Sequence, residues 1–434
     1  MPSTCAYAIG VVATALVGAA IAQRPGVFDG SRDLPSISYS TGAVRNRVND
    51  LNARLTDGRT RLTFDSANGY LRSTLEALAV PIESQLLVFS QTSLQSTRIA
   101  PANPRALFFN DNVAVGWVRG SDVLEIAAHD DRQGVVFYTL DQTAAGTPRF
   151  KRDDTCLACH LTWETLGVPG LQVLSTFPMP DDKNSYARGF VSDHRSPIAQ
   201  RWGGWYVTGQ APARHLGNVP VLLPRDAAAS PGGKPPVLNS LEGQFDTTGY
   251  LSLHSDVAAL MVLEHQTGMV NRITRLGWEA RVAAGQPPAP SGVPQPPVAR
   301  GTFNGVRDAA MDLVDYLLFV DEEPLPGRIR GSSQFAEMFS ARTPRDSQGR
   351  SLYQLDLERR LLRYRCSYMI YTPAFDALPA GAKDAAFRRM WEVLSGQVAA
   401  APYDRLPRAE RQAIVEILRE TKPDLPDYFR AISR

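Results

Sequence analysis

Four short runs of β-branched and aromatic residues, at 106–109, 113–118, 123–126 and 135–140, follow one another closely along the chain. Asn110-Asp111-Asn112, Arg119-Gly120-Ser121 and Asp130-Asp131 separate them. Apolar runs of this length, bounded by turn formers, predict strands, and their spacing predicts an antiparallel meander. Ahead of them, a polar stretch from Gln23 to about Glu83 carries helical patterns at 44–55 and near 70–79. Beyond them, 171–177, 189–191 and 205–208 are further strand candidates, and glycine and proline interrupt the chain at 227–236. The period then changes. Residues 254–284 read as a helix, 286–297 as a Pro-rich exposed linker, and 306–320, 354–371, 382–395 and 408–421 as further helices. The predicted class is α+β, with a β-rich N-terminal and middle part and a mainly helical C-terminal part. The chain divides into a leader at 1–22, a β-rich region with flanking helices at 23–285, a Pro-rich loop at 286–300 and a helical region at 301–434.

Residues 6–22 are small and almost wholly apolar, and they end in Ala20-Ile21-Ala22 before Gln23. That pattern predicts an export leader cut after Ala22. An uncleaved anchor stays open, because the run approaches spanning length and Met1 to Thr4 carries no Lys or Arg. Cleavage implies a periplasmic or otherwise exported protein. No second apolar run of spanning length follows, so no integral membrane domain is expected after the leader. Forty-six basic residues face 44 acidic ones, for a net charge of +2. That balance gives no case for nucleic acid as a partner.

Composition changes little in this picture, but five residues change it greatly. Cys156-Leu157-Ala158-Cys159-His160 places two thiols three apart with a histidine immediately after. This is the pattern of covalent haem c attachment. Each sulfur adds to one haem vinyl group, and the adjacent imidazole lies where it can bind the iron. Cys156 and Cys159 are therefore the candidate attachment residues, and His160 the candidate axial ligand. Covalent haem attachment in bacteria takes place outside the cytoplasmic membrane, so leader and motif agree. A structural zinc site, a redox dithiol and a short disulfide remain alternatives, although zinc usually needs four ligands. Cys5 leaves with the leader, and Cys366 is then expected to be a free, buried thiol.

The iron's opposite face decides function: a sixth protein ligand favours electron transfer, and an open position favours chemistry on a small molecule. Met179, in Phe177-Pro178-Met179-Pro180, is one candidate. His254, Met261 and His265 fall on one stripe of the predicted 254–284 helix, so His254 and His265 are distal candidates too. With Asp256 or Glu264 they could instead hold a second metal. His194-Arg195 forms a weak candidate catalytic pair, since histidine and arginine together can polarise a bound peroxide, although Ser192 to Pro197 also reads as a turn. Two tryptophans in Arg201-Trp202-Gly203-Gly204-Trp205-Tyr206 could wall a haem pocket or pack in the core. Arg201, Arg214 and Lys151 are candidate partners for haem propionates.

These segments together resemble a family of uncharacterised exported bacterial proteins with a cytochrome c-like domain. The likeness rests on Phe109-Asn110-Asp111, Val115-Gly116-Trp117-Val118, the single CxxCH, residues 201–209, His215-Leu216-Gly217-Asn218 and the 254–265 segment. It covers most of the chain beyond the leader and implies haem binding by Cys156, Cys159 and His160, without implying a reaction. The expectation is one covalent haem c and electron transfer to a redox partner protein of unknown identity. The alternatives are a haem oxidoreductase acting on peroxide, oxygen or a nitrogen oxide, and a haem-bearing sensor or binding module.

Overall fold

The computed structural model describes residues 29–176, 189–218, 237–285, 305–398 and 400–430. The leader, Met179 and the Pro-rich 286–300 segment lie outside them. After a short helical turn at Asp29–Arg32, Asn46 starts helix α1 (Arg47–Thr56) by accepting the N–H groups of Val48 and Asn49. Helix α2 (Leu71–Ala77) follows. Both turn apolar residues inward, Val48, Leu51 and Leu55 from α1 and Leu71 and Leu75 from α2.

The predicted meander is present. Strands β1 (Leu86–Val88), β2 (Arg105–Phe109), β3 (Val113–Trp117), β4 (Val123–Asp130), β5 (Gly134–Asp141) and β6 (Phe150–Arg152) pair antiparallel in sequence order. Strands β7 (Leu174–Thr176) and β8 (Gly189–Val191) form a separate ribbon. Strand β9 (Trp205–Tyr206) returns to the large sheet and pairs with β1, giving the order β6-β5-β4-β3-β2-β1-β9.

The sheet is covered on both faces. Tyr138 points toward α1, where its hydroxyl bonds Asn46. On the opposite face, His129 Nε2 lies 3.1 Å from Thr274 Oγ1 of helix α3 (Val257–Gly285). Nearly every side of α3 is buried from Val257 to Ala280. A helix without a polar face belongs in an interior, and α3 fills that role between the sheet and the C-terminal helices α4 (Val306–Leu317), α5 (Ala380–Leu394) and α6 (Arg408–Thr421). Among the described residues no helix is long and apolar enough to cross a membrane.

The helix expected at 354–371 is absent. Leu355 and Leu362 form a β-bridge instead, and Leu357 adopts a left-handed φ of 57°. The carbonyl groups of Leu357 and Arg359 accept N–H groups from Ile329 and Leu325, so tertiary partners replace the helical ladder. Only Tyr368–Tyr371 keeps a helical turn, of the tighter 3₁₀ kind.

Candidate functional site

Side chains alternate between the two faces of a strand. On the α3 side, the register aligns Leu107, Gly116, Glu125 and Thr139 in one cross-strand row, and Phe109, Ala114, Ala127 and Phe137 in the next. The middle of this face carries little bulk, because Gly116, Ala114 and Ala127 occupy it. The result is a cleft of about 650 Å³ above the sheet, within the roughly 300–1,000 Å³ typical of cofactor sites. Its walls come from the 91–94 loop after β1, the 155–164 segment, residues 171–174, Trp205, and Leu263 and Thr267 of α3.

The CxxCH motif forms one of these walls. After β6, Asp153 accepts the Thr155 N–H through Oδ1 at 3.0 Å and starts a tight turn. That turn runs into a single helical turn, Leu157–His160. Cys156, Cys159 and His160 all line the cleft. His160 is clasped twice by Gly170: its carbonyl accepts the Gly170 N–H at 2.9 Å, and its Nδ1 lies 3.0 Å from the Gly170 carbonyl. A carbonyl only accepts, so Nδ1 carries the proton and Nε2 keeps its lone pair. A metal-binding histidine is commonly fixed in this way. The imidazole packs against Phe137, with ring centroids 4.7 Å apart.

Gly170 is itself held. Asn271 of α3 accepts the Leu171 N–H at 2.9 Å and donates to the Leu171 carbonyl at 2.7 Å. A Cβ on Gly170 would lie 2.2 Å from Asn271 Oδ1, so no larger residue fits there. The chain of contacts Asn271–Leu171–Gly170–His160 thus ties the imidazole to the central helix.

Electrostatics separates the candidate chemistries. Burial lowers His160 to about 4, so it is neutral at ordinary pH and free to bind a metal. Burial also pushes the Cys156 thiol up to about 12, helped by Asp153 and Glu125. A thiol held protonated is a poor redox nucleophile. No three His, Cys, Asp or Glu side chains converge on an ion-sized point among the described residues. Both thiols and the imidazole line the same cleft, so they could together hold a cofactor there. Cys366 is buried and free, as expected.

The other predicted residues lie elsewhere. His194 and His265 form a buried pair, Nδ1 to Nδ1 at 2.9 Å, and His265 Nε2 lies 2.7 Å from Ser367 Oγ. Tyr316 and Phe319 pack on both rings. Neither histidine lines the cleft. Arg195 sits over Tyr316 at 4.9 Å, and its N–H closes a turn on Asp193 Oδ1 at 2.8 Å, as the turn reading of this segment expected. His254 precedes α3 rather than riding on it and does not line the cleft, so the predicted stripe does not form. The reason is Asp256. Its Oδ1 accepts the N–H groups of Ala258 and Ala259, and its Oδ2 accepts those of Ser332 and Ser333, which starts the helix at Val257. Asp256 is a cap and loop clamp, not a metal ligand. Glu264 is fully buried against Arg201, 3.3 Å away, and bonds Ser192. That engagement removes Arg201 as a propionate partner, and Lys151 pairs with Asp141 on the surface. Trp205 does wall the cleft, whereas Trp202 lies in the core against His215.

Sequence reading overlooked Arg105, Glu125 and Asn271. The first two were legible only as alternating positions on predicted strands, and Asn271 only as one polar residue on a helix. Comparison with known protein families, with curated proteins and with solved structures finds no match for this chain.

Proposed function

We propose that this chain is an exported, periplasmic monohaem c-type protein that transfers electrons, with the haem joined to Cys156 and Cys159 and bound by His160. The single observation that carries this reading is a cleft of cofactor size, lined together by both thiols of the motif and by an imidazole whose Nδ1 proton is committed to Gly170. The bound haem would supply a one-electron iron centre. The protein's own part is to orient the His160 lone pair, shield it with Phe137 and the α3 wall, and surround the group with apolar surface from Leu107, Leu171, Val173 and Leu263. The resemblance to exported single-CxxCH proteins agrees with this assignment.

A second reading, chemistry on or sensing of a small molecule at the iron, is favoured by one observation. Among the described residues lining the cleft, His160 is the only histidine and there is no methionine.

Export in a bacterium that attaches c-type haem tests the assignment. Intact mass should show one haem per chain in the wild type and none in the C156A/C159A variant. A colourless wild-type product of unmodified polypeptide mass refutes it. Cyanide and CO then separate the two readings: low-spin iron that ignores both supports electron transfer, and ready binding supports the second.

A further inference from the structure

One charged pair lies inside the cleft, and the chemistry above does not use it. Arg105 on β2 reaches across β3 to Glu125 on β4, Nη1 to Oε2 at 2.8 Å, and each side chain is only 16 % exposed. The crossing depends on Gly116, the β3 residue paired with Glu125. A Cβ there would lie 3.3 Å from Glu125 Oε2 and 3.6 Å from Arg105 Cδ, so a side chain would crowd the bridge. The pair is half satisfied: Arg105 Nε and Glu125 Oε1 are buried without a hydrogen-bond partner. A buried guanidinium with unused donors is costly unless something else completes it.

Arg105 is also the only lysine or arginine among the described residues lining the cleft, beside the acidic Glu125 and Glu164. A haem brings two carboxylates into whatever site it occupies. In a largely apolar cleft those carboxylates need a cation, and arginine offers five N–H donors in a fork that matches a carboxylate. We propose that Arg105 receives a carboxylate of the bound haem, with Glu125 as the positioning residue that holds the guanidinium over Gly116. This deepens the haem assignment and rests on it. It replaces Arg201 and Lys151, which the structure engages elsewhere, as the propionate partner.

The test uses the full chain produced without covalent attachment, titrated with haemin and with haemin dimethyl ester, whose carboxylates are blocked. Binding is read from the Soret band, so no activity is needed. Wild type should bind the free acid about tenfold more tightly than the ester, the size of one charge-assisted contact. The R105Q/E125Q variant removes both charges while keeping a neutral hydrogen-bonding pair, and it should bind the two compounds alike. R105K, which keeps the charge, should retain the preference, and E125Q, which unties the guanidinium from its place over Gly116, should reduce it. Urea midpoints confirm that each variant is folded. A preference for the free acid that survives R105Q/E125Q overturns the role of Arg105 while leaving the haem assignment standing. A wild type that binds neither compound overturns the haem assignment itself.

Discussion

The fold buries histidines in a way that ties its stability to acid. His129, His160, His194, His215 and His265 are all lowered in the haem-free chain, chiefly by burial; His129, His160 and His215 fall to about 4, and the other two lie well below the ordinary value. Each is neutral in the folded chain and returns to about 6.5 on unfolding. The unfolded state therefore binds protons that the folded state refuses. The stability these groups contribute is complete above pH 6.5 and is lost as pH falls toward the folded values. One such proton is worth a little more than about 1 kcal/mol per pH unit, so the five together cost several kcal/mol per unit just below pH 6.5. Two buried carboxyls oppose them. Burial raises Glu264 and pushes Glu322 up to about 7, so both hold protons in the fold that the unfolded chain releases. Their contribution grows as pH falls toward 4.5 and offsets part of the loss. The net expectation is a fall on the order of a few kcal/mol between pH 6.5 and 4.5, against a total stability on the order of 5–15 kcal/mol. Urea unfolding followed by tryptophan fluorescence at half-unit steps from pH 7.5 to 4.5 measures it directly. His129→Gln can still donate to Thr274 and should reduce the slope by about 1 kcal/mol per unit. A urea midpoint that stays flat from pH 7 to 5, or a slope untouched by that substitution, refutes the reasoning.

Asp256→Ala removes the start of α3 and leaves the N–H groups of Ser332 and Ser333 without their acceptor; a loss of about 3–5 kcal/mol in urea unfolding is expected, and less than about 1 kcal/mol contradicts the clamp. Gly203→Ala would bring a Cβ to 1.9 Å from the Thr176 carbonyl oxygen; about 3 kcal/mol of destabilisation should follow, and a near-native melting temperature argues against that close approach. Asn271→Ala cuts both bonds to Leu171 and loosens the support of His160. In haem-loaded protein this should raise the pH below which the imidazole leaves the iron, followed optically, whereas an unchanged acid transition means that Asn271 does not hold His160. His160→Ala should leave the urea midpoint of the haem-free chain within about 1–2 kcal/mol of wild type while abolishing the low-spin spectrum, and an unaltered spectrum removes His160 as the axial ligand.

The strand pattern between 106 and 140 was readable because one turn-bounded run follows another there, and neighbouring runs pair with each other. Helix α6 was readable to the residue, since its amphipathic period is strong and Pro407 precedes it. The three-residue strand β1 carries no pattern long enough to recognise, and its place in the sheet comes from β2 and from β9, which is distant in sequence. The 354–371 segment has helical spacing, but partners at 325 and 329 take its backbone groups.

Five adjacent residues make the proposed haem site legible: their spacing marks the thiols and the imidazole, because covalent attachment would need those groups close together in the chain. What faces them could not be read that way. His194 and His265 carry the same side chain as a haem ligand, yet packing pairs them with each other behind the cleft wall. Arg105 and Glu125 meet only because three strands align them over a residue without a side chain. Periodicity records which face a residue takes, whereas the partner it meets there is fixed by register and helix docking, which depend on contacts between segments 20 to 100 residues apart.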